Sequence, residues 1–147
     1  MNKSLLLLCF LGVVLLWSCD PQPRPIEFGK DACNHCKMII SDPRYGAELV
    51  TKKGKIFVFD DLNCYWSFRQ QQGFTEEEIA HSVVFVFNEP QTYVEAGQAC
   101  FLYAEGIRSP MASGFAAFSS SEACNEHRSN WQAVRMSWSD VRQKLQR

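Results

Sequence analysis

Six consecutive residues, Cys33-Asn34-His35-Cys36-Lys37-Met38, put two thiols, an imidazole and a thioether side by side. Thiolate with thioether is a soft donor set, and among biological metals it favours Cu(I); zinc takes Cys and His but has little use for a methionine. In an extended backbone, side chains at i and i+2 point to the same side, so Cys36 and Met38 would form a two-sulfur clip. His35 is one candidate for a further donor. Met111 is the other, because it lies in the turn-rich stretch 106–114, which could fold over the clip. Core filling is the competing reading for Met111 and, with Ile39 and Ile40 following it, for Met38. His81 and His127 sit among polar residues and read as solvated.

Other chemistries compete for the same residues. Cys33 and Cys36 have the Cys-x-x-Cys spacing of thiol–disulfide oxidoreductases. Such sites open a helix, whereas the stretch after Cys36 is β-branched at Ile39 and Ile40 and is then broken by Asp42-Pro43. A structural zinc site would need a second cysteine pair, which the sequence lacks. A surface lipoprotein with an incidental thiol pair is the third alternative, and it predicts no stoichiometric copper site. No nucleophile, base and orienting residue stand in a catalytic pattern, so the chain reads as a binder and not as an enzyme.

The N-terminus indicates where this chemistry would take place. Lys3 precedes an apolar run from Leu5 to Trp17, the length of a signal-peptide core and too short to span a membrane. Leu16-Trp17-Ser18-Cys19 reads as a lipoprotein cleavage site, with residues 1–18 removed and Cys19 acylated. The protein would then be lipid-anchored in the cell envelope, facing the periplasm. Residues 19–30, with Pro21, Pro23 and Pro25, read as a stiff tether, and residues 31–147 as one domain. The formal net charge is −1 with no Lys/Arg-rich patch, which argues against a nucleic-acid partner. Cys9 leaves with the signal and Cys19 goes to lipid, so Cys33, Cys36, Cys64, Cys100 and Cys124 remain. An odd count leaves at least one thiol unpaired or metal-bound. Cys64, Cys100 and Cys124 lie in apolar patterns and read as small buried hydrophobes, not as a disulfide framework.

The positioning elements follow from periodicity and punctuation. Strands are expected over Ala47 to Thr51, Lys55 to Asp60 and Val83 to Asn88. A helix from Asp61 to Gln72 lies between the last two, capped by Asp60 or Asp61 and stopped by Gly73. Lys52-Lys53-Gly54 is a hairpin turn. The order recurs with strands near Ala99 to Ala104 and Gly114 to Phe118, a helix from Ser119 to His127 with Ser119 and Glu122 at capping-box spacing, and a strand at Gln132 to Met136. Ser137 to Gln146 adds a terminal helix. The expected fold is α+β, with two similar strand-strand-helix-strand (ββαβ) halves, about 31–90 and 91–147, packed into one compact unit.

Together, these features resemble the NosL family, the accessory lipoproteins of nitrous oxide reductase. The resemblance rests on the lipoprotein start, on Cys36-Lys37-Met38 followed by Ile39-Ile40-Ser41-Asp42-Pro43, and on Gly46-Ala47-Glu48-Leu49. Phe57-Val58-Phe59-Asp60-Asp61 and Met111 before a glycine-containing strand and helix complete it. It implies two packed ββαβ units and one bound Cu(I). It also implies a copper chaperone for the catalytic copper–sulfur centre of exported nitrous oxide reductase. The residues themselves leave the recipient open among that enzyme, an oxidase and a membrane assembly complex of ABC type, and a monomer is expected. The family's recurring cysteine and methionine two residues apart map to Cys36 and Met38, and Cys33 is an addition to that pattern.

Overall fold

The computed structural model of the chain describes residues 21–146. The expected signal segment and Cys19 lie outside the described residues. No helix among the described residues is long and apolar enough to cross a membrane.

The first half runs β1 (Ala47–Thr51), β2 (Ile56–Phe59), α1 (Leu62–Gln72) and β3 (Ile79–Phe85), with a short β4 (Tyr93–Glu95) added. The second runs β5 (Cys100–Tyr103), β6 (Phe115–Phe118), α2 (Ser121–Trp131) and β7 (Val134–Met136), and α3 (Trp138–Leu145) follows. One sheet has the order β2-β1-β3-β4 and the other β6-β5-β7, and every neighbouring pair is antiparallel. The expected ββαβ duplication is therefore present. In each half the first strand is central, flanked by its hairpin partner and by the strand that follows the helix.

The correspondence reaches individual residues. Ala47 pairs with Phe59 in the first half and Cys100 with Phe118 in the second. Two residues beyond each phenylalanine stands the N-cap of an 11-residue helix, Asp61 or Ser120. Both helices end at a left-handed residue, Gly73 (φ 70°) and Gln132 (φ 52°). Arg69 Nε donates to Phe74 O at 3.3 Å, and its counterpart Arg128 Nε donates to Ala133 O at 3.2 Å.

Local differences from the sequence reading have physical causes. The α2 cap falls on Ser120, whose Oγ accepts from Ala123 N, while Ser119 Oγ donates to Glu89. β3 begins at Ile79, because its polar residues find partners within the sheet and against α1. His81 Nδ1 lies 2.6 Å from Glu95 Oε1, and Ser82 Oγ lies 2.6 Å from the Tyr65 hydroxyl. His127 is not solvated either: its Nδ1 lies 2.9 Å from Ala123 O, and its ring packs against Phe87, Phe118 and Trp131.

Alternation along β5 divides the apolar interior. Cys100 and Leu102 pack with Phe118 and Cys124 under α2, while Phe101 faces the first half. There Phe101 stacks on Trp138 of α3 at 5.7 Å, and Trp138 also meets Tyr65 of α1 edge-on at 5.8 Å. The two halves therefore share one core through α3. Packing of the N-terminal segment begins within the expected tether: Arg24 N donates to Glu48 Oε1, Ile26 is buried, and Phe28 meets Phe85 edge-on.

Cys100 and Cys124 form a disulfide, which corrects their reading as separate buried thiols. The register sets Cys100 opposite Phe118, and the first turn of α2 returns Cys124 over β5, bringing the two Cα atoms to 6.1 Å. That distance lies within the range a disulfide spans.

Candidate metal centre

Cys33 and Cys36 lie in a tight hairpin that docks on the free edge of β2. A bridge between Ala32 and Ile39 closes the hairpin, Cys33 N donates to Met38 O at 2.8 Å, and Lys37 N donates to Cys33 O at 3.0 Å. Asn34 fixes it to the strand: its amide N donates to Val58 O at 2.8 Å, and its Oδ1 accepts from Val58 N at 2.7 Å. Lys37 is left-handed at φ 67°. The segment is therefore turned and not extended, so the same-side argument for Cys36 and Met38 does not hold. Met38 is 58% exposed and Ile39 beside it 50%.

Cys64, on the first turn of α1, comes to the same point. The Sγ atoms of Cys33, Cys36 and Cys64 all lie within 4.8 Å of one another, and none is in a disulfide. A metal about 2.3 Å from each of three coplanar sulfurs would hold them about 4 Å apart. The cluster therefore needs only a small contraction to close on an ion. Cys33 is fully buried, Cys64 is 1% exposed, and Cys36 is partly open. Cys64 was expected to be a buried hydrophobe, and it is buried, but its sulfur faces two others. The readable signal was its place just after the Asp60-Asp61 cap, where a helix start presents its first turn to whatever docks on the preceding strand.

The thiols do not share charge equally. A hydrogen bond from the Cys64 thiol draws the Cys33 thiol down to about 4, against burial, with the backbone amides of Asp60, Cys36 and His35 adding to the effect. Cys64 is pushed up by the same hydrogen bond and by burial, and Cys36 is pushed up chiefly by burial. The hydrogen bonding thus favours the thiolate form at Cys33 over Cys36 and Cys64, and a metal that engages all three would displace the protons they hold. Asp60 lies alongside, its carboxyl pushed up to about 6 by burial and then by the Cys33 charge. Its Oδ1 has no hydrogen-bond partner.

The other expected site residues are placed differently. His35 is partly exposed, and what it gives Cys33 is its backbone amide. Met111 is partly buried, and its main chain is anchored beside α1. Met111 N donates to Asp61 Oδ2 at 3.1 Å, and Asn63 Nδ2 donates to Met111 O at 2.9 Å. The structure therefore brings Cys33 and Cys36 together with Cys64, fixes the Met111 backbone at the start of the same helix, and leaves Met38 facing solvent.

No family model matches the chain, and no curated protein matches it in sequence. In three dimensions it is similar to the crystal structure of the copper chaperone NosL from Shewanella denitrificans, with a TM-score of 0.68. The chain has the NosL fold. The match covers 81% of this chain and 94% of that one at 17% identity. The paired ββαβ units implied by the sequence resemblance are thus present in this chain, which shares its overall fold with that structure.

Proposed function

We propose that the protein is a Cu(I)-binding metallochaperone that holds one copper ion on Cys33, Cys36 and Cys64 and passes it to an exported copper enzyme. The observation that carries this reading is the three-thiol cluster, carried on a fold shared with a copper chaperone. Three soft donors satisfy Cu(I), whereas structural zinc sites take four ligands. The partly open Cys36 edge suits transfer by ligand exchange, with Met38 on the same hairpin available as a passing donor and Met111 as a further sulfur. The chemistry is capture and release of a metal, not catalysis.

The finer reading follows the sequence resemblance. The chain would be anchored through Cys19 on an envelope membrane, act as a monomer, and serve nitrous oxide reductase or the membrane complex that assembles it. A Cu(I) titration of the reduced protein against a competing chelator, with zinc as control, tests the central claim. One tight copper equivalent is expected, lost in Cys36→Ser and in Cys64→Ser. Parent-like binding in both variants would reject the cluster, and weak binding throughout would favour a thiol–disulfide oxidoreductase using Cys33 and Cys36.

A further inference from the structure

Asp61 does more than cap a helix. Its Oδ1 accepts from Asn63 N at 2.8 Å, which is the N-cap bond. Its Oδ2 accepts from Met111 N at 3.1 Å and from Ser113 N at 3.3 Å, 50 and 52 residues away along the chain. The equivalent position in the second half shows what capping alone requires. Ser120 caps α2 with a single hydroxyl acceptor, which takes Ala123 N. A carboxylate buried to 1% exposure costs far more to desolvate than a hydroxyl. The additional oxygen is spent entirely on the loop that carries Met111.

That loop is shaped to present one residue. Ser109 Oγ accepts from Ser113 N at 2.9 Å and from Gly114 N at 3.3 Å, and Ala112 is left-handed at φ 56°. Met111 lies inside this closed turn, with its N–H held by Asp61 and its carbonyl held by the Asn63 side chain. Cys64 is the next residue of α1, and the amide of Asp60, the residue before Asp61, acts on Cys33. Five consecutive residues, 60–64, thus connect two of the three thiols to the Met111 backbone. Met111 also packs against the main core, but packing alone does not require that its N–H and its carbonyl both be held by side chains from the other half, and these two bonds set its position and direction.

We infer that Asp61 and Asn63 are positioning residues that seat Met111 as a thioether donor beside the Cys33/Cys36/Cys64 cluster. The inference rests on reading that cluster as the copper site. It makes the ion's coordination a joint product of the two halves, with thiolates from the first and a thioether from the second.

Cu(I) competition titrations combined with copper K-edge X-ray absorption test it in the whole protein. Asp61→Ser keeps a capping oxygen, as Ser120 does, and releases the loop. Asn63→Ala leaves the cap untouched and frees only the Met111 carbonyl, so it reports even if the Asp61 variant folds poorly. Each is expected to weaken Cu(I) binding by about 10–100-fold, the usual effect of removing a group that orients a ligand. Each should also remove one sulfur neighbour from the absorption spectrum, as Met111→Leu does. Adding Asp61→Ser to Met111→Leu should change neither readout further. Parent affinity and sulfur count in Met111→Leu would overturn the inference, as would an Asp61→Ser effect that persists undiminished in the Met111→Leu background. Parent-like binding by Cys36→Ser would overturn the cluster reading as well, and is thereby distinguished from a failure confined to Met111.

Discussion

A carboxyl group buried beside a thiolate is costly to ionise, and Asp60 meets both conditions. It is 3% exposed, its Oδ1 has no hydrogen-bond partner, and burial together with the Cys33 charge raises it to about 6. Its folded value lies above the ordinary 3.8, so the folded chain binds a proton more readily than the unfolded one. Ionised Asp60 therefore subtracts from stability above about pH 6. The penalty fades as pH falls and is gone once both states are protonated. Asp60→Asn should stabilise the reduced, metal-free protein by about 1–3 kcal/mol near neutral pH, with the two stability curves converging below about pH 4. Denaturant unfolding across that range checks this. Equal stability of the two proteins near neutral pH would mean that the strain at Asp60 is relieved some other way.

At the level of elements, the duplicated halves separate what belongs to the fold from what belongs to the site. Ser120 only caps α2, so Ser120→Ala should cost about 1 kcal/mol of stability and leave Cu(I) affinity unchanged. A thermal midpoint and a copper titration on the same sample decide that. The strands and helices were legible because their signals are local: alternation in β1 and β5, the Asp61 cap, and Gly73 as a stop. The three-residue β4 was not, since so short a strand is defined by its pairing with β3 and not by its own pattern. The site was half legible. Cys33 and Cys36 are neighbours in sequence, but Cys64 reaches them only because β2 and α1 fold back beneath the hairpin. The left-handed Lys37 that turns Met38 outward leaves no compositional mark.

Across the whole molecule, one chain holds a disulfide and three free cysteines among the described residues. Disulfides persist where the surroundings are oxidising, and any surroundings that maintain Cys100–Cys124 would also threaten Cys33 and Cys36. Alkylation under denaturing conditions without reductant should label Cys33, Cys36 and Cys64 but spare Cys100 and Cys124, and bound copper should slow labelling of the first three in the native protein. Replacing Cys100 and Cys124 with alanine should cost about 3.5 kcal/mol, the loop-entropy value for a crosslink of this span, with little change in copper affinity. Peptide mapping of the labelled cysteines and denaturant unfolding measure the two effects. A large loss of copper affinity in the double variant would tie the disulfide to the site.

The helix residue that carries the disulfide in the second half, Cys124, is Tyr65 in the first, where a hydroxyl contact with Ser82 stands in place of a covalent bond. Among the described residues only the second half has its helix tied covalently to its sheet, and the half without that tie carries the thiols. Spontaneous breathing of the molecule should concentrate there. Amide protons of α1 and the 32–39 hairpin would exchange with deuterated solvent through partial openings that leave β5, β6 and α2 intact. An incoming acceptor could then draw on motion the molecule already has, reaching sulfurs that are enclosed at rest without dismantling the half that keeps the chain folded.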